Sequence, residues 1–106
     1  MSEEDIVLYE VDQHIATITL NRPDAANAMN PQMAKELSEC AKGCQENADI
    51  RAVIIQANGK MFCAGGDLSE FAAAKEAVGS LLLSMTADLH LFISRLTRMN
   101  APVIAA

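Results

Sequence analysis

The run ArgAlaValIleIleGlnAla at 51–57 is short, apolar and almost without alternation, the pattern of a strand covered on both faces in a parallel sheet. A parallel partner demands a crossover connection, and the preceding sequence supplies one. Ile6–Val11 and Ile15–Leu20 are β-branched and partly alternating, with Val7, Tyr9 and Val11 on one face of the first and Ala16, Ile18 and Leu20 on one face of the second. Asp12, Gln13 and His14 between them leave hairpin spacing. Residues 21–29 break the pattern, and Asn30 before Pro31 then provides an N-cap and a first helical residue whose φ is already set. Met33, Leu37, Cys40, Ala41, Cys44 and Ala48 form the apolar stripe of a helix of about four turns, weakened slightly by Gly43. Strand, helix and strand together predict one α/β crossover unit.

Downstream, Asn58-Gly59 marks a turn, and residues 61–70 lead into a second helix. Asp67 is placed to cap that helix while Glu70 reaches back to it, a capping-box arrangement. Ser80 is placed to cap a third helix, whose Leu81, Leu82, Met85, Leu89, Phe92, Ile93 and Leu96 form a wide apolar face ending at Asn100 before Ala101-Pro102. The final AsnAlaProValIleAlaAla reads as a strand cut at its start. Residues 1–106 are therefore expected to be the truncated N-terminal part of a single larger domain.

Composition excludes several classes of function. With 51% hydrophobic residues, 5 Gly and 3 Pro, the chain is neither disordered nor a linker. The longest apolar stretches, Ala52–Ile55 and Leu81–Leu83, are far shorter than the roughly 20 residues of a membrane helix, and the acidic start does not resemble a signal peptide. A cytoplasmic protein without a membrane partner is expected. Eight Lys and Arg against 14 Asp and Glu give a net charge of −6, and the cations are dispersed, which argues against nucleic acid. The GluGluAsp start reads as a solvated tail. Cys40, Cys44 and Cys63 lack disulfide spacing and a fourth ligand at zinc spacing, so they read as free thiols and small buried hydrophobes, with no metal site.

The segment Phe62–Leu68 carries the most chemistry. Two consecutive glycines before a capped helix leave backbone N–H groups unobstructed beside the positive end of a helix dipole, where an anion or a developing oxyanion is favoured. A strand-to-helix turn that needs unusual backbone angles would explain the same glycines without chemistry. The wider pattern shifts that balance. LeuAsnArgPro (20–23), AsnAla (27–28), the strand at 52–57 with Gly59, PheCysAlaGlyGlyAspLeu (62–68) and AlaProValIleAlaAla (101–106) resemble, in order and spacing, the N-terminal part of the enoyl-CoA hydratase/isomerase family, the crotonases. The resemblance spans the whole chain, and its most specific part is 62–68; family members run to about two and a half times this length.

The resemblance implies an α/β crotonase-like (ClpP/crotonase) fold of repeated ββα units with two nearly perpendicular sheets, here only its N-terminal portion, usually assembled as homo-trimers or hexamers. It implies an acyl-CoA thioester substrate, with coenzyme A arriving as part of that substrate and no permanently bound cofactor. It also implies that the backbone N–H of Gly66 is one of two donors to the thioester carbonyl oxygen, the second lying after residue 106. By the same comparison Ala64 meets the adenine end of the nucleotide, and Ala64, Gly65, Gly66, Asp67 and Leu68 line the ligand. Ala26 and Ala28 match a loop near the nucleotide, and Arg22 matches a residue near a phosphate. Other members place alanine or a larger residue where glycine stands here, so the acyl preference is unreadable.

Hydration of a 2-enoyl-CoA is the default reaction implied, with double-bond isomerisation next and thioester hydrolysis or decarboxylation after it. The general acid/base groups match positions beyond Ala106, so the 106 residues alone are expected to be inactive. The alternative of another class is a crotonase-like module that binds a CoA ester or a protein without turnover; RNA binding is the least favoured, given the charge. His90 shares a helix face with Thr86 and Ser94 and reads as a solvated histidine, His14 as a turn residue, and Asp67 as a cap rather than a catalytic acid. Met61, Met85 and Met99 read as core or pocket fillers.

Overall fold

A computed structural model describes residues 5–106, so the acidic tail read at the start lies outside the described residues apart from Asp5. The hairpin forms from β1 (Val7–Asp12) and β2 (Ile15–Leu20), antiparallel with Asp12 opposite Ile15. Its loop is two residues, Gln13 and His14, both with positive φ (48° and 70°), the turn geometry that matches strand twist. His14 also ties this turn to the next strand: its carbonyl accepts from the Arg51 N–H at 2.7 Å, and its Nδ1 lies 2.9 Å from the Asp49 carbonyl oxygen.

Helix α1 (Pro31–Glu46) begins as expected, with Asn30 extended and its side chain accepting from the Met33 N–H at 2.8 Å. Strand β3 (Ala52–Ala57) then pairs parallel with β2, completing the crossover, and β4 (Val103–Ala105) pairs parallel on its far side. The sheet order is β1-β2-β3-β4. The described residues form this one sheet and not the second, perpendicular one that the resemblance implies.

The core lies between one face of the sheet and α1. Val7, Ala16, Ile18, Leu20 and Val53 meet Met33, Leu37, Ala41 and Cys44, with Ile50 and Leu96 closing the ends. Ala48, assigned to the helix stripe, falls beyond the helix end and is exposed. Among the described residues β3 is covered on one face only: Ile54 is half-buried, and exposed Gln56 donates from Nε2 to Thr19 Oγ1 (3.1 Å) on the other. An apolar run shows that a strand avoids water, but not which part of the chain shields it.

The second helix, α2 (Leu68–Ala74), runs through a 3-10 turn at 75–77 into α3 (Val78–Thr97). Ser80 therefore lies inside α3 and does not cap it; Ala77 precedes the helix with no side-chain cap, because the chain enters from a preceding helical turn. Arg95 holds α3 to α1 by donating from Nη1 to the carbonyl (2.7 Å) and hydroxyl (2.9 Å) oxygens of buried Ser38. Of the predicted apolar face, Met85 and Leu96 are buried, Leu89 and Phe92 pack partly on the core, and Ile93 is 55% exposed. By length and composition Leu68–Thr97 is apolar enough to cross a membrane (mean hydropathy 1.4), a property that short uninterrupted runs do not reveal. The stretch is bent at Lys75, where φ is 52°.

Cys44 is buried and Cys40 and Cys63 are half-buried, all three free. Burial, then the neighbouring Cys44, Glu36 and Glu39, pushes the Cys40 thiol up to about 12; burial also raises that of Cys44, partly offset by the Tyr9 hydroxyl at 3.5 Å. Both should resist iodoacetamide at pH 8 in the folded protein and react on unfolding, since the thiolate is the nucleophile. Rapid labelling of either in the native state would contradict the packing. The sign of the linkage is fixed as well. An acid whose folded pKa is raised stays neutral while the unfolded chain ionises, so stability falls as pH rises from about 9 towards 12.

Candidate functional site

Two loops leave the carboxyl ends of the neighbouring parallel strands β2 and β3, the position at which open α/β sheets bind ligands. Residues 21–30 connect β2 to α1, and residues 58–67 connect β3 to α2. They are tied together along their length. The Ala64 N–H donates to the Ala26 carbonyl (3.0 Å), the Met29 N–H to the Gly65 carbonyl (2.6 Å) and the Asp67 N–H to the Met29 carbonyl (2.8 Å).

Asn27 holds the first loop in shape. It is fully buried, its Oδ1 accepts from the Arg22 N–H at 2.7 Å, and its Nδ2 donates to the carbonyls of Asn58 (2.8 Å) and Met61 (2.9 Å). Ala26 and Asn27 are both left-handed, with φ of 52° and 55°. Asparagine tolerates this conformation, whereas for alanine it costs roughly 1–2 kcal/mol, which the surrounding bonds must offset. In the sequence Asn27 is marked only by the AsnAla resemblance and by being a single Asn in a turn.

These bonds decide where Gly66 faces. Gly66 forms a parallel bridge with Met29, and the two bridging bonds belong to its neighbours Gly65 and Asp67. The N–H and C=O of the middle residue in such a bridge face the opposite side. None of the described residues accepts a hydrogen bond from the Gly66 N–H. Gly65, with φ of 101°, makes the turn that exposes it. Helix α2 has only seven residues, so this N–H, rather than a helix dipole, is the polar feature offered to a ligand.

Position 66 is also sterically restricted. A Cβ there would lie 2.7 Å from Cε2 and 2.9 Å from Cζ of Phe71, so the ring sits where a side chain would go. Gly66→Ala should destabilise the complete protein by about 1–3 kcal/mol through overpacking. Adding Phe71→Leu should recover much of that loss, and a double variant no more stable than Gly66→Ala alone would refute the steric explanation.

The other predicted site residues are placed as follows. Ala64 is exposed and its N–H is taken by Ala26, leaving its carbonyl available. Ala28 is half-buried within the first loop, and its carbonyl accepts from Arg22 Nη1 at 2.8 Å. Leu68 is 78% exposed, with Met61 (50%) and Phe62 (46%) exposed on the same loop, so Met61 is not a core filler. Asp67 is buried and caps α2, its Oδ1 accepting from the Glu70 N–H at 3.1 Å. Glu70 does not reach back as a capping box would, because the Asp67 N–H already donates to Met29; its carboxylate lies instead 3.6 Å from Arg22.

Arg22 is the centre of a charged cluster, with Nη2 2.7 Å from Asp67 Oδ2. The Arg22 guanidinium, then the Glu70 N–H, holds the Asp67 carboxyl below the usual carboxylate range. Its stabilising contribution is therefore present above the ordinary carboxylate pKa and is lost as pH falls through the lowered value. His90 is exposed on α3, away from these contacts. Among the described residues no three His, Cys, Asp or Glu side chains converge as a metal site.

Comparison with known proteins identifies the family. A family model described as enoyl-CoA hydratase/isomerase matches residues 15–106. A probable enoyl-CoA hydratase of Mycobacterium tuberculosis is 36% identical over 106 residues, covering 100% of this chain and 40% of that protein. A trans-2-decenoyl-[acyl-carrier-protein] isomerase of Streptococcus mutans is 36% identical over 99 residues, covering 92% of this chain and 38% of the isomerase. Among solved structures, an enoyl-CoA hydratase of Mycobacterium smegmatis superposes with a TM-score of 0.85 at 37% identity, covering 96% of this chain and 39% of that one. The chain thus spans about 40% of the length of the curated relatives it matches. With a family model matched over residues 15–106, relatives at 36% identity and a shared fold, the chain belongs to the enoyl-CoA hydratase/isomerase family.

Proposed function

We propose that the protein containing this chain is an enzyme acting on acyl-CoA thioesters, with hydration of a 2-enoyl-CoA as its reaction and the Gly66 N–H as one donor of an oxyanion hole. The observation that carries the reading is the unengaged Gly66 N–H, fixed by bonds on either side of it. In hydration, water oxygen adds to C3 of the enoyl group and negative charge moves onto the thioester oxygen as an enolate, which collapses when C2 takes a proton. A donor already aimed at that oxygen stabilises the charge without reorganising as it grows.

The remaining assignments extend the same reading. Ala64 to Leu68 line the thioester and the adjoining part of the ligand, and exposed Met61, Phe62 and Leu68 offer apolar surface to an acyl chain. Ala26 and Ala28 border the nucleotide. The second donor and the acid/base groups are supplied by residues outside this chain, and the assembly is a trimer or hexamer in the cytoplasm. Isomerisation is the second reading, favoured by the likeness to a trans-2-decenoyl-[acyl-carrier-protein] isomerase.

The complete protein should bleach the conjugated-thioester absorbance of crotonyl-CoA as the 3-hydroxyacyl product forms. Absorbance gained from a 3-enoyl-CoA, with no hydration, would assign the isomerase instead. Micromolar binding of a CoA ester by calorimetry without turnover of either substrate would identify the protein as a binding module and refute the catalytic reading.

A further inference from the structure

The loop that presents the Gly66 N–H also carries negative charge. Asp67 follows it directly and Glu70 lies one turn further on, and Glu70 Oε2 is buried with no hydrogen-bond partner. A carboxylate this close to the proposed oxyanion donor would oppose the charge that the donor is there to stabilise. Asp67 is nevertheless needed as the α2 cap. Its two oxygens divide the tasks: Oδ1 caps the helix and Oδ2 meets Arg22 Nη2 at 2.7 Å, with Glu70 Oε2 at 3.6 Å from the same nitrogen. Arg22 Nη1 meanwhile donates to the Ala28 carbonyl, which fixes the guanidinium within its own loop. Arg22 thus stands among Asp67, Glu70 and Ala28.

We infer that Arg22 is a positioning residue that cancels the Asp67 carboxylate beside the thioester oxygen, so that the helix cap can be acidic without weakening the oxyanion hole at Gly66. The inference rests on the reading of the Gly66 N–H as an oxyanion donor. Arg22 acts through Asp67 and not on the ligand, so its removal affects kcat and leaves KM for the acyl-CoA nearly unchanged.

The test uses the complete protein and a set of charge variants with crotonyl-CoA, each checked for folding by thermal unfolding. Arg22→Gln should lower kcat about tenfold to a hundredfold, the scale of one uncancelled charge opposing a developing oxyanion, with KM within threefold. Arg22→Gln with Asp67→Asn should recover at least half of that loss on a logarithmic scale, because asparagine still caps the helix and both charges are gone. A double variant as slow as Arg22→Gln would mean that the ion pair only ties the loops together, and would overturn the inference. Should Arg22→Gln not fold, Arg22→Lys decides: it keeps a positive charge against Asp67 and should hold kcat within about threefold of wild type, and a tenfold loss of kcat in the folded variant would overturn the inference. An amide-to-ester exchange at Gly66 separates the two levels. If it leaves kcat unchanged, the oxyanion reading itself fails; if it slows the enzyme while the double variant shows no recovery, only the role of Arg22 fails.

Discussion

Exchanging the Gly65–Gly66 amide for an ester in the complete protein is expected to lower kcat by about 10²–10³, the usual consequence of removing one oxyanion-hole donor. The exchange replaces the Gly66 N–H by oxygen and leaves the side chains and the Asp67-to-Met29 bond in place, while the Gly65 carbonyl that accepts from the Met29 N–H becomes a weaker ester acceptor, so the variant is first checked for folding by thermal unfolding. A donor that binds tightly only when charge develops should change KM by less than about tenfold. A weakened KM with an unchanged kcat would show that the N–H binds ground-state carbonyl and transition state alike. A proline at 66 would also remove the donor, but its ring would sit against Phe71 and blur the result.

The second large effect is expected at Asn27. Asn27→Ala would leave the Arg22 N–H and the Asn58 and Met61 carbonyls without the partner that the fully buried Asn27 amide gives them in part-buried bonds. Each buried polar group left unpaired costs about 1–3 kcal/mol, so a loss of about 3 kcal/mol or more is expected in urea unfolding of the complete protein. Asn27→Asp keeps the shape but sets a carboxylate against two carbonyl oxygens, and should be no better tolerated. Both variants should also reduce kcat, because the loop carrying Gly66 is held through the same bonds. A stability loss below about 1 kcal/mol for Asn27→Ala would contradict the role given to that amide.

The parts of the fold legible in the sequence are those set by short-range chemistry. Pro31 after Asn30, the β-branched pair of strands around Gln13-His14, and the glycine pair before Asp67 each carry their signal within a few residues. The parallel pairing of β2 with β3 follows from the helix between them. What was not legible depends on groups distant in sequence. Asn27 bonds carbonyls 31 and 34 residues away, and no local pattern announces that. The capping box at Asp67 fails because the Met29 carbonyl competes for the N–H that Glu70 would have taken. Periodicity likewise located the apolar face of α3 without showing that Ile93 stays exposed, since a stripe specifies a side of the helix and not its cover.

Gly66 shows how the two kinds of information combine. The sequence supplied its identity and its neighbours, and the resemblance supplied a role. The interlocked loops supply the reason why its N–H faces away from Met29 and has no acceptor among the described residues. Arg22, for which the resemblance implies a phosphate, also bonds Asp67 and Ala28 within the chain, and no local pattern announces those partners.

The most direct measurement is a crystal structure of the complete protein with a non-reactive acyl-CoA thioester bound. The Gly66 nitrogen should lie about 2.7–3.1 Å from the thioester oxygen, with the Met29 bridge preserved. A thioester oxygen held elsewhere, with the Gly66 N–H donating to a backbone carbonyl or facing away from the ligand, would contradict the catalytic assignment.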